Sequence, residues 1–169
     1  RRIYGEVFGE LEKSLAANYA FRQWLHETIK RIEREGRVEF VGGLYKRLRE
    51  AFDETYLFAA PYNFNSFLIY MEINRAPKER FYEPRYRQLR PIVDDLQRLY
   101  DGELEMYGLS LPQGTGKTTL GLFFLAWAMG REPHLSNFAT SYSDTIAESL
   151  YDRVGNFISS PEYTYSDIF

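Results

Sequence analysis

Leu109-Ser110-Leu111-Pro112-Gln113-Gly114-Thr115-Gly116-Lys117-Thr118-Thr119 is the stretch on which the fold reading turns. An apolar, strand-like run, Met106 to Leu111, enters a glycine-rich turn, and an apolar, helix-like run, Leu120 to Met129, leaves it. Strand, glycines, Lys-Thr and helix in that order are what a phosphate-binding loop requires. A triphosphate is a compact anion with many acceptor oxygens. Backbone N–H groups of a tight turn and a helix N-terminus hold it best. Gly114 and Gly116 let the main chain approach closely, so Gln113, Gly114, Thr115 and Gly116 are read as the backbone cradle. Lys117 is expected to place its ammonium on the β- and γ-phosphates and Thr118 its hydroxyl on Mg²⁺, the metal position and the candidate catalytic pair. Thr119 follows on the first helical turn, within reach of the α-phosphate.

The loop departs from the common G-x-x-x-x-G-K-[ST] pattern, because Leu111 stands where the first glycine is usual. It reads P-x-G-x-G-K-T instead, a variant expected among motor and helicase-type ATPases. A strand-to-helix turn capped by Thr115, with a lysine that serves no anion, is the plain alternative.

With 44% hydrophobic and 27% charged residues, the chain can bury a sizeable core. Net charge is only −3, so the chain has no global nucleic-acid signature. The absence of cysteine excludes disulfides and thiolate metal sites and fits a reducing, cytoplasmic compartment. The strongest apolar run, Leu120 to Met129, is about half the ~20 residues that a bilayer span needs, and no membrane role is expected.

Apolar spacing predicts helices over residues 9–35, 44–58, 65–74 and 85–99, with Gly36 and Pro61 as stops, an Asn cap on the third, and Pro91 a kink or first turn in the fourth. After the loop helix, Leu135 to Tyr142 is predicted to be the next strand, and Ser143-Asp144 caps a helix over 145–158 that Ser160-Pro161 stops. The second half thus reads β-α-β-α. The expected fold class is α/β: an incomplete P-loop parallel-sheet core over 76–169, preceded by a helical region over 1–75. Two strands do not finish such a sheet, so a longer protein is expected.

Hydrolysis by such a core needs a second motif, an apolar strand ending in Asp and often Glu. None follows Lys117. Phe67-Leu68-Ile69-Tyr70-Met71-Glu72 and Ile92-Val93-Asp94-Asp95 imitate it upstream, and both read better as helix faces. The chain as given is therefore expected to hold nucleotide without efficient turnover.

Three blocks carry a family resemblance, clearest from about Phe81 to Phe169: Phe81-Tyr82-Glu83-Pro84-Arg85-Tyr86-Arg87-Gln88-Leu89, then Ser110 to Leu120, then Ala139-Thr140-Ser141-Tyr142-Ser143-Asp144 continuing through Ser160-Pro161-Glu162-Tyr163 to Ile168-Phe169. Together they resemble the N-terminal ATPase region of phage terminase large subunits, DNA-packaging motors. The resemblance implies ATP and Mg²⁺ as cofactors and a hydrolase that drives double-stranded DNA translocation. It also implies a terminase small subunit, a portal or procapsid and a homo-oligomeric ring as partners, in the cytoplasm of a bacterial host. By the same resemblance Gln88 reads the adenine edge as a Q-motif, Phe81 or Tyr82 stacks on the base, and a nuclease lies further C-terminal. Many terminases carry an Arg at the loop position held here by Gly114, so any arginine finger comes from elsewhere.

Two other readings stand beside this one: another P-loop ATPase, such as a helicase or nucleotide-dependent kinase, and a non-catalytic helical adaptor whose glycine loop binds no nucleotide. The basic, aromatic segment 75–90, with Arg75, Lys78, Arg80, Arg85, Arg87 and Arg90, suits DNA phosphate, nucleotide phosphate, a neighbouring subunit or plain solvation. His26 and His134 are isolated and read as surface or boundary residues.

Overall fold

A computed structural model describes the backbone of residues 2–169 and the side chains of residues 10–169. By contact density the chain divides into two compact units, Arg1–Ala59 and Ala60–Phe169.

The first unit is a helical hairpin of α1 (Arg2–Arg34) and α2 (Gly42–Ala59). Gly36, at φ 65°, reverses the chain after α1, a left-handed conformation that glycine adopts without a Cβ penalty. Leu25 and Ile29 face α2 and are buried. Phe21 and Trp24, on the predicted stripe, stack on each other and stay about half exposed, Trp24 beside a shallow cavity shared with Leu44 and Leu48 of α2. A polar knot joins the two helices. Arg22 Nε donates to Thr55 Oγ1 at 2.9 Å and Asn18 Nδ2 to the Thr55 carbonyl at 2.8 Å. The Arg22 guanidinium also lies 3.9 Å over the Tyr56 ring.

The second unit is helical as well: α3 (Phe64–Met71), α4 (Tyr86–Tyr100), α5 (Lys117–Arg131), α6 (Asp144–Ser159) and the short α7 (Tyr165–Ile168). α3 is apolar on nearly every face, which is why it is buried. Its N-cap is Asn63, whose side chain accepts the Ser66 N–H, not Asn65, which is drawn inside to accept the Tyr82 hydroxyl at 2.7 Å. Pro91 sits inside α4 without ending it.

The core forms where α3, α4, α6 and α7 meet α5. Trp127 is fully buried, lies 5.3 Å from Phe64 and 4.7 Å from Tyr100, and donates its indole N–H to the Ala60 carbonyl at 2.9 Å. One turn earlier, Phe123 stacks on Phe157 of α6 at 4.2 Å, nearly parallel. Thr164 closes the unit by donating its N–H to the Met71 carbonyl and its hydroxyl to the Tyr70 carbonyl, satisfying the end of α3.

The expected α/β class, with a P-loop parallel-sheet core, is overturned: the described residues contain helices and no strand. Both stretches predicted as strands, Met106 to Leu111 and Leu135 to Tyr142, are non-helical and unpaired. The first keeps a strand's alternation, with Tyr107, Leu109 and Leu111 half-buried between exposed Met106, Gly108 and Ser110. The physical reason is that a strand is stabilised by its partner's N–H and C=O groups and by cross-strand side chains. These two segments make no ladder with each other. Where a sheet was expected, α5 borders an apolar cavity of about 400 Å³ lined by Gly121, Leu122, Leu125, Ala128, Phe138 and Leu150 among others. No helix among the described residues is long and apolar enough to cross a membrane.

Trp127 should dominate the stability of the second unit. Trp127→Ala is expected to cost about 3–5 kcal/mol in urea unfolding followed by circular dichroism. Tyr142→Ala, at a side chain 93% exposed, should stay within about 0.5 kcal/mol of the parent.

Candidate phosphate-binding loop

The loop that enters α5 keeps its left-handed glycines, its Lys-Thr pair and the helix behind it, but not the strand expected in front of it. Gly114 and Gly116 both adopt left-handed backbone, at φ 84° and 90°. Gly116 is the N-cap of α5 and Lys117 its first residue. Pro112, Gln113, Gly114, Lys117 and Thr118 are exposed, so an anion has open access. Thr115 folds inward, its hydroxyl donating to the Pro112 carbonyl at 2.8 Å, which tightens the turn and leaves Gly116 as the cap. The Lys117 ammonium bends back over the loop and donates to the Leu111 carbonyl at 3.1 Å.

The donors left over define the chemistry. Among the described residues, the backbone N–H groups of Gln113, Gly114, Gly116, Lys117, Thr118 and Thr119 enter no hydrogen bond. The last three belong to the first turn of α5, where intrahelical acceptors do not exist. This run of donors, the positive end of a fifteen-residue helix and a lysine ammonium make an acceptor-hungry surface suited to phosphate oxygens.

A second layer sets the loop's position. Phe81 packs on Gly116 so closely that a Cβ there would stand 2.3 Å from its ring, and the same ring stacks on Phe123 of α5. Phe81 is held by Glu72, the residue that follows α3. The Glu72 carboxylate is almost wholly buried and accepts the Phe81 and Tyr82 N–H groups at 2.8–2.9 Å. Burial is the largest influence on this carboxyl and pushes its pKa up. The Tyr82 and Phe81 donors, then Arg75 and Arg80, pull it down by less. Glu72 thus clasps the segment that braces the loop.

Other residues named from sequence lie elsewhere. Tyr82 is fully buried with its hydroxyl on Asn65, so its ring is not available to a nucleotide base. Gln88 is exposed on the first turns of α4. The basic segment is largely engaged internally. Arg75 donates to the Tyr163 hydroxyl, Arg80 to the Arg75 and Ile73 carbonyls and to Glu83, Arg85 to the Phe81 carbonyl, and Arg90 pairs with Asp94. Lys78 and Arg87 are the exposed cations that remain. No group of three or more His, Asp or Glu side chains that could hold a metal gathers among the described residues.

Sequence reasoning missed two parts of this arrangement. Glu72 was read as one acidic residue ending a helix face, and only folding reveals that it is buried against backbone donors. Arg153 of α6 donates to the Thr119 hydroxyl at 2.8 Å across thirty-four residues of chain, with no local signal to mark it.

Two substitutions test the layer behind the loop. Gly116→Ala combines left-handed backbone with the Phe81 contact and should cost about 1–3 kcal/mol in urea unfolding. Glu72→Gln removes a group whose folded pKa is raised. The stability due to that raised pKa is fully present below the unfolded value, about 4.3, and is lost as pH rises through the higher folded value. Parent stability minus Glu72→Gln stability should therefore fall with rising pH across that window. A difference that grows with pH would show that the N–H donors outweigh burial.

Comparison with known protein families, with curated proteins and with solved structures finds no match to this chain, so the terminase resemblance rests on its three sequence blocks alone.

Proposed function

We propose that this chain is a helical, non-catalytic module whose loop at 112–119 takes the polyphosphate of a nucleotide. One observation carries the reading: a run of unengaged N–H donors at Gln113, Gly114, Gly116, Lys117, Thr118 and Thr119, four of them on exposed residues, overhung by the Lys117 ammonium. Water serves such donors one at a time, whereas the oxygens of one phosphate chain satisfy several at once. In this reading Lys117 neutralises the β- and γ-phosphates and Thr118 offers its hydroxyl to an accompanying Mg²⁺.

The all-helical second unit favours a non-catalytic module over a sheet-based motor ATPase. The chain's own residues also leave hydrolysis unsupplied. Among the described residues no strand carries an acidic group to the loop, so nothing in this reading orients an attacking water.

The Pro112–Thr119 block, with the Ser-Pro-Glu-Tyr stretch at 160–163, supports a second reading. In it the module serves a terminase large subunit, and ATP binding is linked to packaging of double-stranded DNA in a bacterial cytoplasm, beside a small subunit, a portal and further copies in a ring. Direct contact with DNA would be weak and salt-sensitive, because most cations of segment 75–90 are already engaged.

Titration calorimetry with ATP and Mg²⁺ tests the proposal. The folded parent should bind, Lys117→Ala should lose about tenfold or more in affinity, and neither should turn over ATP. A folded parent that binds nothing supports the adaptor without nucleotide. Sustained turnover supports the motor ATPase.

A further inference from the structure

Arg153 lies on the exposed side of α6, and its guanidinium reaches across to the Thr119 hydroxyl in the first turn of α5. This is an unusual use of a cation. A helix N-terminus is electropositive, and a positive side chain beside it is disfavoured. Lys117, two residues away, adds a second positive charge to the same turn. Asp152 precedes Arg153 in the chain but forms no ion pair with it. The neighbours of Arg153 one helical turn away, Ser149 and Leu150 on one side and Asn156 and Phe157 on the other, are uncharged. Among the described residues no carboxylate lies within ion-pair distance of it, although other arginines, such as Arg90 and Arg98, are paired.

The position is nevertheless firmly built. Val154 and Phe157 of α6 are buried, and Phe157 stacks face to face on Phe123 of α5. That stack fixes α6 against α5 just beyond the loop. Arg153 is thereby presented to the first turn of α5 by packing that involves no charge. The result is two cations and a helix N-terminus concentrated around a run of unengaged N–H donors, an arrangement that an anion would neutralise.

We infer that Arg153 is a second cationic ligand of the loop's polyphosphate, leaving the Thr119 hydroxyl for phosphate oxygens when the anion binds. The inference rests on the polyphosphate reading of the loop and extends it. A guanidinium offers two parallel N–H donors matched to a phosphate, which an ammonium does not. Lys117 approaches from the loop side and Arg153 from α6, so the anion is gripped by two elements. Occupancy of the loop would then be felt by α6, because the Arg153 contact changes partner on binding.

The test uses inorganic tripolyphosphate and Mg²⁺-ATP in titration calorimetry, with unfolding midpoints measured in the presence and absence of each. The parent, Lys117→Ala, Arg153→Ala and Arg153→Lys are compared. Arg153→Ala should weaken both ligands about tenfold or more, and Arg153→Lys should recover part of the loss. Without ligand, Arg153→Ala should unfold at the same midpoint as the parent or higher, since removing a repelled cation relieves strain. A structural role would lower that midpoint instead. If Lys117→Ala loses binding while Arg153→Ala binds like the parent, the inference fails and the loop reading stands. If the folded parent binds neither ligand, both fail.

Discussion

Burial of the aromatic face of α5 is the constraint on which the second unit depends. Phe123 and Trp127 lie one turn apart, and every other helix of that unit is placed by contact with them or with their neighbours. Phe64 of α3 and Tyr100 of α4 close on Trp127, and Phe157 of α6 stacks on Phe123. Tyr165 of α7 donates its hydroxyl to the Ala126 carbonyl at 3.1 Å. Aromatic pairs of this kind bury large area and constrain ring geometry as well. They therefore fix helix orientation as well as helix proximity.

The candidate site inherits its rigidity from this packing. Gly116 begins α5, so the loop is anchored to the most constrained helix of the unit. Phe81 spans core and loop, touching Phe123 on one side and Gly116 on the other. Glu72 then holds the Phe81 backbone through a buried carboxylate. A chain of contacts thus runs from the end of α3 to the cap of α5 without passing through solvent-exposed side chains. Preorganised N–H donors bind an anion without the entropic cost of ordering a mobile loop.

Charge is distributed in two distinct ways around this frame. In the segment between α3 and α4, the arginines Arg75, Arg80 and Arg85 are bonded to carbonyls, carboxylates and aromatic faces, and serve architecture. Near the loop, Lys117 and Arg153 are held by one carbonyl and one hydroxyl. Neutral acceptors leave both cations electrostatically unspent. A sequence count treats all these residues alike, and only their partners separate charge spent in the fold from charge resting on neutral acceptors.

The amino-acid sequence alone determined the helices. Apolar spacing placed α2, α4, α6 and the C-terminal end of α1 to within a few residues, though α1 begins seven residues earlier than expected, and Gly36, Pro61 and Ser160-Pro161 marked real interruptions, because those signals are local. The turn at 112–118 was equally legible, since Gly114 and Gly116 occupy backbone angles that other residues resist. Tertiary structure decided what depends on distant partners. Met106 to Leu111 has a strand's alternation yet pairs with nothing, because a strand exists only through a neighbour that local pattern does not specify. The burial of Glu72, the withdrawal of Tyr82 into the core and the approach of Arg153 to Thr119 likewise arise from contacts across ten to thirty-four residues. Periodicity reports which face of an element is apolar. It carries no information about which other element that face will meet.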